Sequence, residues 1–206
     1  MNIEEKVVTA LKDKKMLLTT AESCTGGMIA ASVVNVSGAS NVFHQGYITY
    51  CDEAKNSILG VKKETLDKYK AVSPQVACEM ALGALKISGA DIAVSVTGVA
   101  GPSTEDGKPV GLVYIGVASA VKTDYAEEEV SDISGLSDEA GMQKHSVMLY
   151  KSEAAYALVK ENMFTGDRST IRNKACAEAL ALICEDRKST RLNSSHRSQS
   201  RMPSSA

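Results

Sequence analysis

Residues 19–27 carry the densest set of reactive groups in the chain, in the order Thr-Thr-Ala-Glu-Ser-Cys-Thr-Gly-Gly. An apolar run ends just before this segment, and an amphipathic run that starts at Met28 follows it. That order predicts a strand, a tight polar turn and a helix. A helix N-terminus presents unpaired backbone N–H groups and partial positive charge, which favour oxyanions and phosphates. Ser23 or Cys24 could therefore be a nucleophile with oxyanion donors beside it, although an N-cap with a glycine hinge has the same pattern.

A second polar cluster, residues 46–55, reads Gly-Tyr-Ile-Thr-Tyr-Cys-Asp-Glu-Ala-Lys. We interpret Asp52 as the N-cap of a short helix closed by Gly60, which puts Lys55 in the first helical turn. A cation there opposes the helix dipole, and burial would further favour the neutral amine, the form that accepts a proton from a serine. Tyr50 could relay or share that proton. A solvated lysine is the alternative interpretation.

The histidine content favours a serine nucleophile over a cysteine. A thiolate is stabilised at a helix N-terminus, but outside the C-terminal tail the chain has only His44 and His145, far apart in sequence. We therefore prefer Ser23 with Lys55 to Cys24 with a histidine. The chain has five cysteines and no C-x-x-C pair, which indicates neither a disulfide framework nor a zinc site.

A third cluster, Thr-Gly-Val-Ala-Gly-Pro at 97–102, follows a short apolar run. Gly98 and Gly101 flank a turn where the backbone could approach a ligand closely. Arg168 and Arg172 lie four residues apart at the start of the last predicted helix, a spacing that can clamp a phosphate, although two solvated surface arginines would have the same spacing. Ligands of α/β sheets bind beyond the carboxyl ends of strands, where we expect all three clusters.

The alternation of strand and helix patterns predicts the fold class. It favours an α/β protein, a three-layer α/β/α sandwich around a mixed, mostly parallel sheet. We predict a strand over 111–121, a loop over 122–137, an amphipathic helix over 138–160 and a last helix over 168–185. Residues 1–186 are interpreted as a single domain.

The charge distribution argues against a nucleic-acid partner. The chain has 23 basic and 25 acidic side chains and a net charge of −2, but residues 187–206 hold five basic and no acidic side chains. Without this tail, 18 basic side chains remain against 25 acidic ones. Residues 1–186 are therefore acidic overall and lack the basic surface that nucleic-acid binding requires.

The C-terminal segment differs in character from the rest of the chain. It is rich in Ser and Arg and nearly free of apolar side chains, so it cannot bury much surface. Residues 189–196 also resemble translated adapter sequence found at the ends of assembled reading frames. We therefore interpret residues 187–206 as a non-native or disordered tail. No apolar run reaches the roughly 20 residues that cross a bilayer, and the charged N-terminus is unlike a signal peptide, so we expect a cytoplasmic protein.

Six motifs together resemble the CinA C-terminal domain family, the nicotinamide-nucleotide amidohydrolases, in their stand-alone form. Each motif alone is weak, but the set is specific because it keeps the family's order over nearly the whole body. The motifs are T-A-E-S-C-T-G-G (20–27), G-Y-I-T-Y-C-D-E-A-K (46–55), A-V-S (71–73), V-T-G-V-A-G-P (96–102), K-P-V-G-L-V-Y (108–114) and F-T-G-D-R (164–168).

The resemblance implies deamidation of nicotinamide mononucleotide to nicotinate mononucleotide and ammonia, in pyridine-nucleotide recycling, with no metal and no cofactor. It implies that Ser23 is the nucleophile and that Lys55 and Tyr50 activate it. We expect partners to be the nucleotide substrate and further copies of the chain, in a dimer or larger homo-oligomer, with no nucleic acid and no membrane. The residues expected to bind substrate are Cys24, Thr25, Gly26, Gly27, Thr97, Gly98, Gly101, Arg168 and Arg172.

Two features depart from the family pattern. The family passes from the strand at 111–121 to the F-x-G-D-R motif through a short hairpin, whereas here an insertion lies within 122–161; it could be a lid, a subunit contact or an assembly artefact. The tail is the second departure. A catalytically silent nucleotide-binding or regulatory module of the same fold is the alternative function. A DNA-associated competence factor is suggested only by the family's historical name, and the acidic body disfavours it.

Overall fold

The computed structural model describes the backbone of residues 1–120, 147–151 and 155–194, with side chains described over 1–120 and 155–184. Its strands are β1 Leu18–Glu22, β2 Phe43–Ile48, β3 Ile92–Gly98, β4 Leu112–Ala120, β5 Val147–Lys151 and β6 Ala155–Met163. Its helices are α1 Ile3–Lys14, α2 Met28–Val34, α3 Asp52–Leu59, α4 Lys63–Tyr69, α5 Pro74–Ser88 and α6 Arg168–Ser194, with a short 3-10 helix at Ala39–Asn41.

Two hydrophobic cores lie on opposite faces of one sheet. On the first face, α1, α2 and α6 pack through Val7, Ile29 and Ile183. On the second, α3, α4 and α5 contribute apolar side chains such as Leu59 and Met80. The predicted α/β sandwich is therefore confirmed. Within the described ranges, no helix combines the length and the apolarity that a membrane span requires.

The sheet has the strand order β2-β1-β3-β4-β6-β5. β1 pairs in parallel with β2 and β3, whereas the β3–β4, β4–β6 and β5–β6 pairs are antiparallel. The mixed sheet is confirmed, but the prediction that it is mostly parallel is wrong for the strands that the structure describes. Parallel pairing needs a crossover connection, and helices connect β1 to β2 and β2 to β3, while β4 returns directly beside β3.

β4 and β6 form a long antiparallel ladder, from Leu112 opposite Met163 to Ala120 opposite Ala155. These two strands are neighbours in the sheet, and residues 121–154 connect them. The insertion within 122–161 stays a prediction.

The amphipathic helix predicted over 138–160 is wrong, because β5 and β6 occupy part of that range. The side chains of Ala155, Ala157 and Val159 are buried and alternate with partly exposed ones, the period of a strand. Alanine and leucine favour a helix locally, but pairing with β4 and burial of one face override that preference. The loop predicted over 122–137 lies outside the described residues.

The last helix is longer than its sequence pattern predicts. Its apolar face, which includes Ile171, Ala179 and Leu180, packs in the first core as expected. Its backbone continues to Ser194 rather than ending near 185. The interpretation of residues 187–206 as non-native stays a prediction.

The turn between β1 and α2 is organised by Glu22, a fully buried carboxylate at the end of β1. Its Oε2 accepts from the N–H of Gly27 at 2.9 Å and of Ile29 at 3.1 Å, and its Oε1 accepts from Ala30 N–H at 2.9 Å. An internal anion thus compensates the positive end of α2. Gly26 and Gly27 have φ of 59° and 95°, values that only glycine adopts readily, and these let the chain bend around the carboxylate.

We expect Glu22→Gln to lower the stability of the fold. The amide keeps one acceptor oxygen, but its NH₂ group faces a backbone N–H and the negative charge is lost. The free energy of unfolding should fall by about 1–3 kcal/mol, the cost of leaving buried polar groups unsatisfied. Urea denaturation followed by circular dichroism measures this change.

The matched control for this prediction is Glu64→Gln, at an exposed position in the first turn of α4. It should change the free energy of unfolding by less than about 0.5 kcal/mol. An unchanged urea midpoint for Glu22→Gln would show that the turn does not depend on the buried charge.

Candidate functional site

A cleft of about 290 Å³ lies where the three parallel strands end. Ser23 follows β1, Tyr50 follows β2 and residues 97–101 end and follow β3; all of them line the cleft. Lys55 from α3 and Arg168 from the start of α6 complete this set. The carboxyl ends of adjacent parallel strands share one edge of a sheet, which explains why segments far apart in sequence meet here.

Ser23 sits on a rigid part of the fold. Its residue is 9% exposed, and its N–H donates to Val96 O of β3 at 2.9 Å. Gly26 N–H donates back to Ser23 O at 3.0 Å and closes a tight turn. Both backbone polar groups of Ser23, the N–H and the carbonyl, are therefore hydrogen-bonded.

Cys24 also lines the cleft, but its thiol is buried. Burial raises the pKa of Cys24 to about 12, although the Arg172 guanidinium acts to lower it. A thiol with this pKa stays protonated near neutral pH and is a poor nucleophile. Of the candidate bases, His44 is exposed on β2 and His145 lies outside the described residues. Burial of the thiol therefore disfavours Cys24 as a nucleophile.

Lys55 is 1% exposed and projects from the first turn of α3. The N-cap of this helix is Cys51, so the prediction of Asp52 as the cap is wrong by one residue; the predicted left-handed end at Gly60 is confirmed. Lys55 Nζ lies 3.7 Å from Asp52 Oδ1. The amine is thus separated from bulk water and has one carboxylate close to it.

Arg168 connects the ends of three elements across the cleft. Its Nη1 donates to Gly101 O at 2.7 Å, and its Nη2 donates to Tyr50 Oη at 3.0 Å. Tyr50 is 61% exposed at the mouth. Because the phenol oxygen accepts from a guanidinium, its own proton is free to be donated to another acceptor in the cleft.

Three more predicted residues, Thr97, Gly98 and Gly101, line the cleft. Thr97 Oγ1 donates to Ala71 O at 2.7 Å and so holds the loop before α5. A Cβ at Gly98 would lie 2.7 Å from Leu112 O of β4. The close approach of a neighbouring strand therefore requires glycine here, independently of any ligand.

The other predicted binding residues are absent from the residues that line this cleft. The N–H of Gly27 is bonded to Glu22, and the N–H of Gly26 is bonded to Ser23. Substrate binding stays a prediction for this group, which comprises Thr25, Gly26, Gly27 and Arg172.

The two arginines predicted to clamp one phosphate contact different parts of the protein. Arg172 Nε donates to Cys24 O at 2.9 Å, and its Nη2 donates to Thr25 O at 2.8 Å. Arg168 instead bonds Gly101 and Tyr50. Each guanidinium therefore supports its own loop.

Sequence reasoning assigned no role to two residues that shape the site, Glu22 and Lys108. Lys108 Nζ donates to Tyr69 O at 2.9 Å and to Val72 O, which ties the loop 103–109 to the cleft wall. Burial lowers the pKa of Lys108, and acidic neighbours in the loop oppose that shift. The signal for Glu22 is a carboxylate placed directly before a small-residue turn and a helix; Lys108 begins the motif K-P-V-G.

Charges of both signs surround the cleft. Lys55 and Arg168 are the basic side chains of its lining, and Asp52, Glu105 and Asp106 are the acidic ones. Within the part of the chain that the structure describes, no group of three or more His, Cys, Asp or Glu side chains is placed to hold a metal ion.

Comparison with known proteins gives consistent matches. The family model described as the CinA C-terminal domain matches residues 1–149. A CinA-like protein from Kosmotoga olearia is 41% identical over 184 residues, which are 88% of this chain and 36% of that protein. A CinA-like protein from Chlorobium phaeobacteroides is 52% identical over 119 residues, 57% of this chain and 28% of that protein. The chain thus spans about a third of the length of these curated relatives.

Two similar solved structures have nearly the same length as the matched region. The competence damage-inducible protein A (ComA) from Klebsiella pneumoniae has a TM-score of 0.70 and 33% identity, with 90% of this chain and 96% of that chain covered. The competence/damage inducible protein CihA from Agrobacterium tumefaciens has a TM-score of 0.69 and 32% identity, with 89% and 92% covered. The chain belongs to the CinA C-terminal domain family.

Proposed function

We propose that this chain hydrolyses nicotinamide mononucleotide to nicotinate mononucleotide and ammonia, with Ser23 as nucleophile and Lys55 and Tyr50 as proton carriers. The observation that carries the proposal is the convergence of these three side chains on one cleft. A serine and a buried lysine that line one cleft are the two groups that serine–lysine hydrolases use. Membership of the CinA family supports the choice of reaction.

In the first step, the amine of Lys55 takes the Ser23 hydroxyl proton while Oγ bonds to the carboxamide carbon. The negative charge moves to the carboxamide oxygen, which needs N–H donors in the turn. Glu22 already occupies three N–H groups at the start of α2. The oxyanion donors are therefore expected earlier in the turn, at Cys24 and Thr25.

In the second step, the carbon–nitrogen bond breaks and ammonia leaves with a proton from Lys55 or Tyr50. The Arg168 guanidinium donates to the Tyr50 oxygen, which leaves the phenol hydrogen for another acceptor. Water then attacks the ester on Ser23 and gives a proton to the same base. The ester carbon–Oγ bond breaks, Ser23 regains its proton and the product carboxylate is released. No step is assigned to a metal or a cofactor.

The substrate class is supported by the size and charge of the cleft. A volume of about 290 Å³ is near the lower end of the range for small-molecule sites. The ligand carries an anionic phosphate and a cationic pyridinium ring. Arg168 can attract the phosphate, and the acidic side chains of Glu105 and Asp106 can attract the ring.

We expect Ser23→Ala to lower ammonia release from nicotinamide mononucleotide by about 10³-fold or more, because the covalent step is lost. Ser40→Ala, at an exposed position in the 3-10 helix, is the control and should keep the wild-type rate. A chelator should leave the wild-type rate unchanged. Full activity of Ser23→Ala would refute the mechanism, and wild-type protein that binds the nucleotide without releasing ammonia would instead be a silent binding module.

We expect Lys55→Met to lower kcat by about 10²–10⁴-fold, the usual contribution of a general base. Methionine retains most of the buried aliphatic chain and removes only the amine, so the fold should persist in thermal denaturation. Lys63→Met, at the exposed start of α4, is the matched control. A Lys55→Met variant as active as wild type would remove this residue from the reaction.

We expect iodoacetamide to label Cys51 much faster than Cys24 near neutral pH, as measured by peptide mapping with mass spectrometry. Cys51 is exposed, whereas Cys24 is buried with a pKa of about 12. Only about 10⁻⁵ of such a thiol is ionised at neutral pH. Rapid labelling of Cys24 in the native protein would favour a cysteine nucleophile instead.

A further inference from the structure

We propose that Arg172 positions the oxyanion site by holding the backbone of the nucleophile turn, and that it does not bind the substrate's phosphate. The inference rests on the proposed function, because it assigns a role within that reaction. Arg172 reaches from α6 to two successive carbonyls, Cys24 O and Thr25 O. A guanidinium that donates from Nε and Nη2 to adjacent acceptors fixes both their positions and their directions.

Residues 23–26 form a β-turn closed by Gly26 N–H donating to Ser23 O. The peptide between Cys24 and Thr25 is its central unit. Neither polar group of that central peptide takes part in the turn's own hydrogen bond, so both are available to outside partners. Arg172 Nε donates to the carbonyl and so fixes this central peptide.

The carbonyl and N–H of a trans peptide point in opposite directions. In the preceding peptide, Ser23 O accepts from Gly26 N–H, so the Cys24 N–H of that peptide points away from the interior of the turn. This N–H belongs to the residue after Ser23, where a nucleophile turn places an oxyanion donor, and Cys24 lines the cleft. Arg172 holds the carbonyls of Cys24 and Thr25, so it fixes the turn that carries this donor although it does not line the cleft itself.

Two side chains of opposite charge, Glu22 and Arg172, hold the turn through different backbone groups. Glu22 binds N–H groups after the turn, and Arg172 binds carbonyls within it. Both charges act on the Cys24 thiol, since Arg172 lowers its pKa and Glu22 raises it. Neither side chain is among the residues that line the cleft.

A phosphate could reach the Nε and Nη2 donors of Arg172 only by replacing the two carbonyls. That exchange would release the turn at the moment when the reaction needs it fixed. Arg168 also donates to protein acceptors, but it lines the cleft and Arg172 does not, so Arg168 is the cation nearer to a bound anionic group.

The test compares Arg172→Lys and Arg172→Ala with wild type, using nicotinamide mononucleotide as substrate. Lysine keeps the charge but cannot donate to two carbonyls in a planar fork. We expect kcat to fall by about 10- to 10²-fold in Arg172→Lys and further in Arg172→Ala, as when an oxyanion donor is misplaced. KM should stay within about threefold of wild type, because ground-state binding is not altered.

Two readouts report on the turn without turnover. Hydrogen exchange measured by mass spectrometry should be faster for peptides that cover residues 24–26 in both variants. Labelling of Ser23 by a fluorophosphonate, which also needs the oxyanion donors, should slow in parallel with kcat. Lys174→Ala is the control, because Lys174 is an exposed neighbour on α6 that bonds Thr165 O instead; it should leave all readouts unchanged.

The outcomes separate this inference from the proposed function. A raised KM with an unchanged kcat would make Arg172 a substrate ligand and overturn the inference. A lowered kcat with unchanged exchange at residues 24–26 would also overturn it, as would wild-type behaviour in every assay. Wild-type protein that releases no ammonia would refute the proposed function; exchange and Ser23 labelling would then still decide whether Arg172 holds the turn.

Discussion

The buried carboxylate of Glu22 at the start of α2 is the interaction on which the site depends. It lies between a strand and a helix and accepts three backbone N–H groups, so it fixes how the chain leaves the sheet. A helix N-terminus is ordinarily an anion site for a ligand. Here the protein supplies that anion itself. The proposed reaction therefore uses the turn between Ser23 and Gly26, and it depends on the orientation of individual peptides in that turn.

The parallel and antiparallel halves of the sheet have different roles in the fold. The parallel half, β2-β1-β3, brings three carboxyl ends to one edge and so creates the cleft. The antiparallel half, β4-β6-β5, widens the sheet. In the β3–β4 ladder, Gly98 lies opposite Val113 while Ile92 lies opposite Ser119. β4 therefore ends at the edge opposite the cleft, and the connection that leaves Ala120 begins far from Ser23. Extra residues at that point can be added without displacing the site.

Local patterns in the sequence were enough to predict which segments meet at the cleft. Polar clusters that interrupt apolar runs marked the carboxyl ends of β1, β2 and β3. Ligands of α/β sheets bind beyond such ends, so the three clusters were expected at one site. The roles of Glu22 and Arg172 could not be predicted, because both depend on hydrogen bonds to the backbone of other residues, and Arg172 reaches a segment nearly 150 residues away. The strand β6 was predicted as helix for a related reason: its alternation is short and alanine-rich, and only pairing with β4 decides between the two states.

The helix α6 links these observations, because two arginines in its first two turns hold separate loops of the site. Arg168 bonds the segments after β2 and β3, and Arg172 bonds the turn after β1. The position of α6 is set just before it begins, where Phe164 N–H donates to Gly111 O at 2.8 Å. A Cβ at Gly111 would lie 1.9 Å from Phe164 O, so only glycine permits this approach. The register of β6 on β4 thus controls where both arginines reach. Residues 121–154 connect β4 to β6. This connection must bring β6 back in that register, so that Arg172 reaches the turn at residues 23–26.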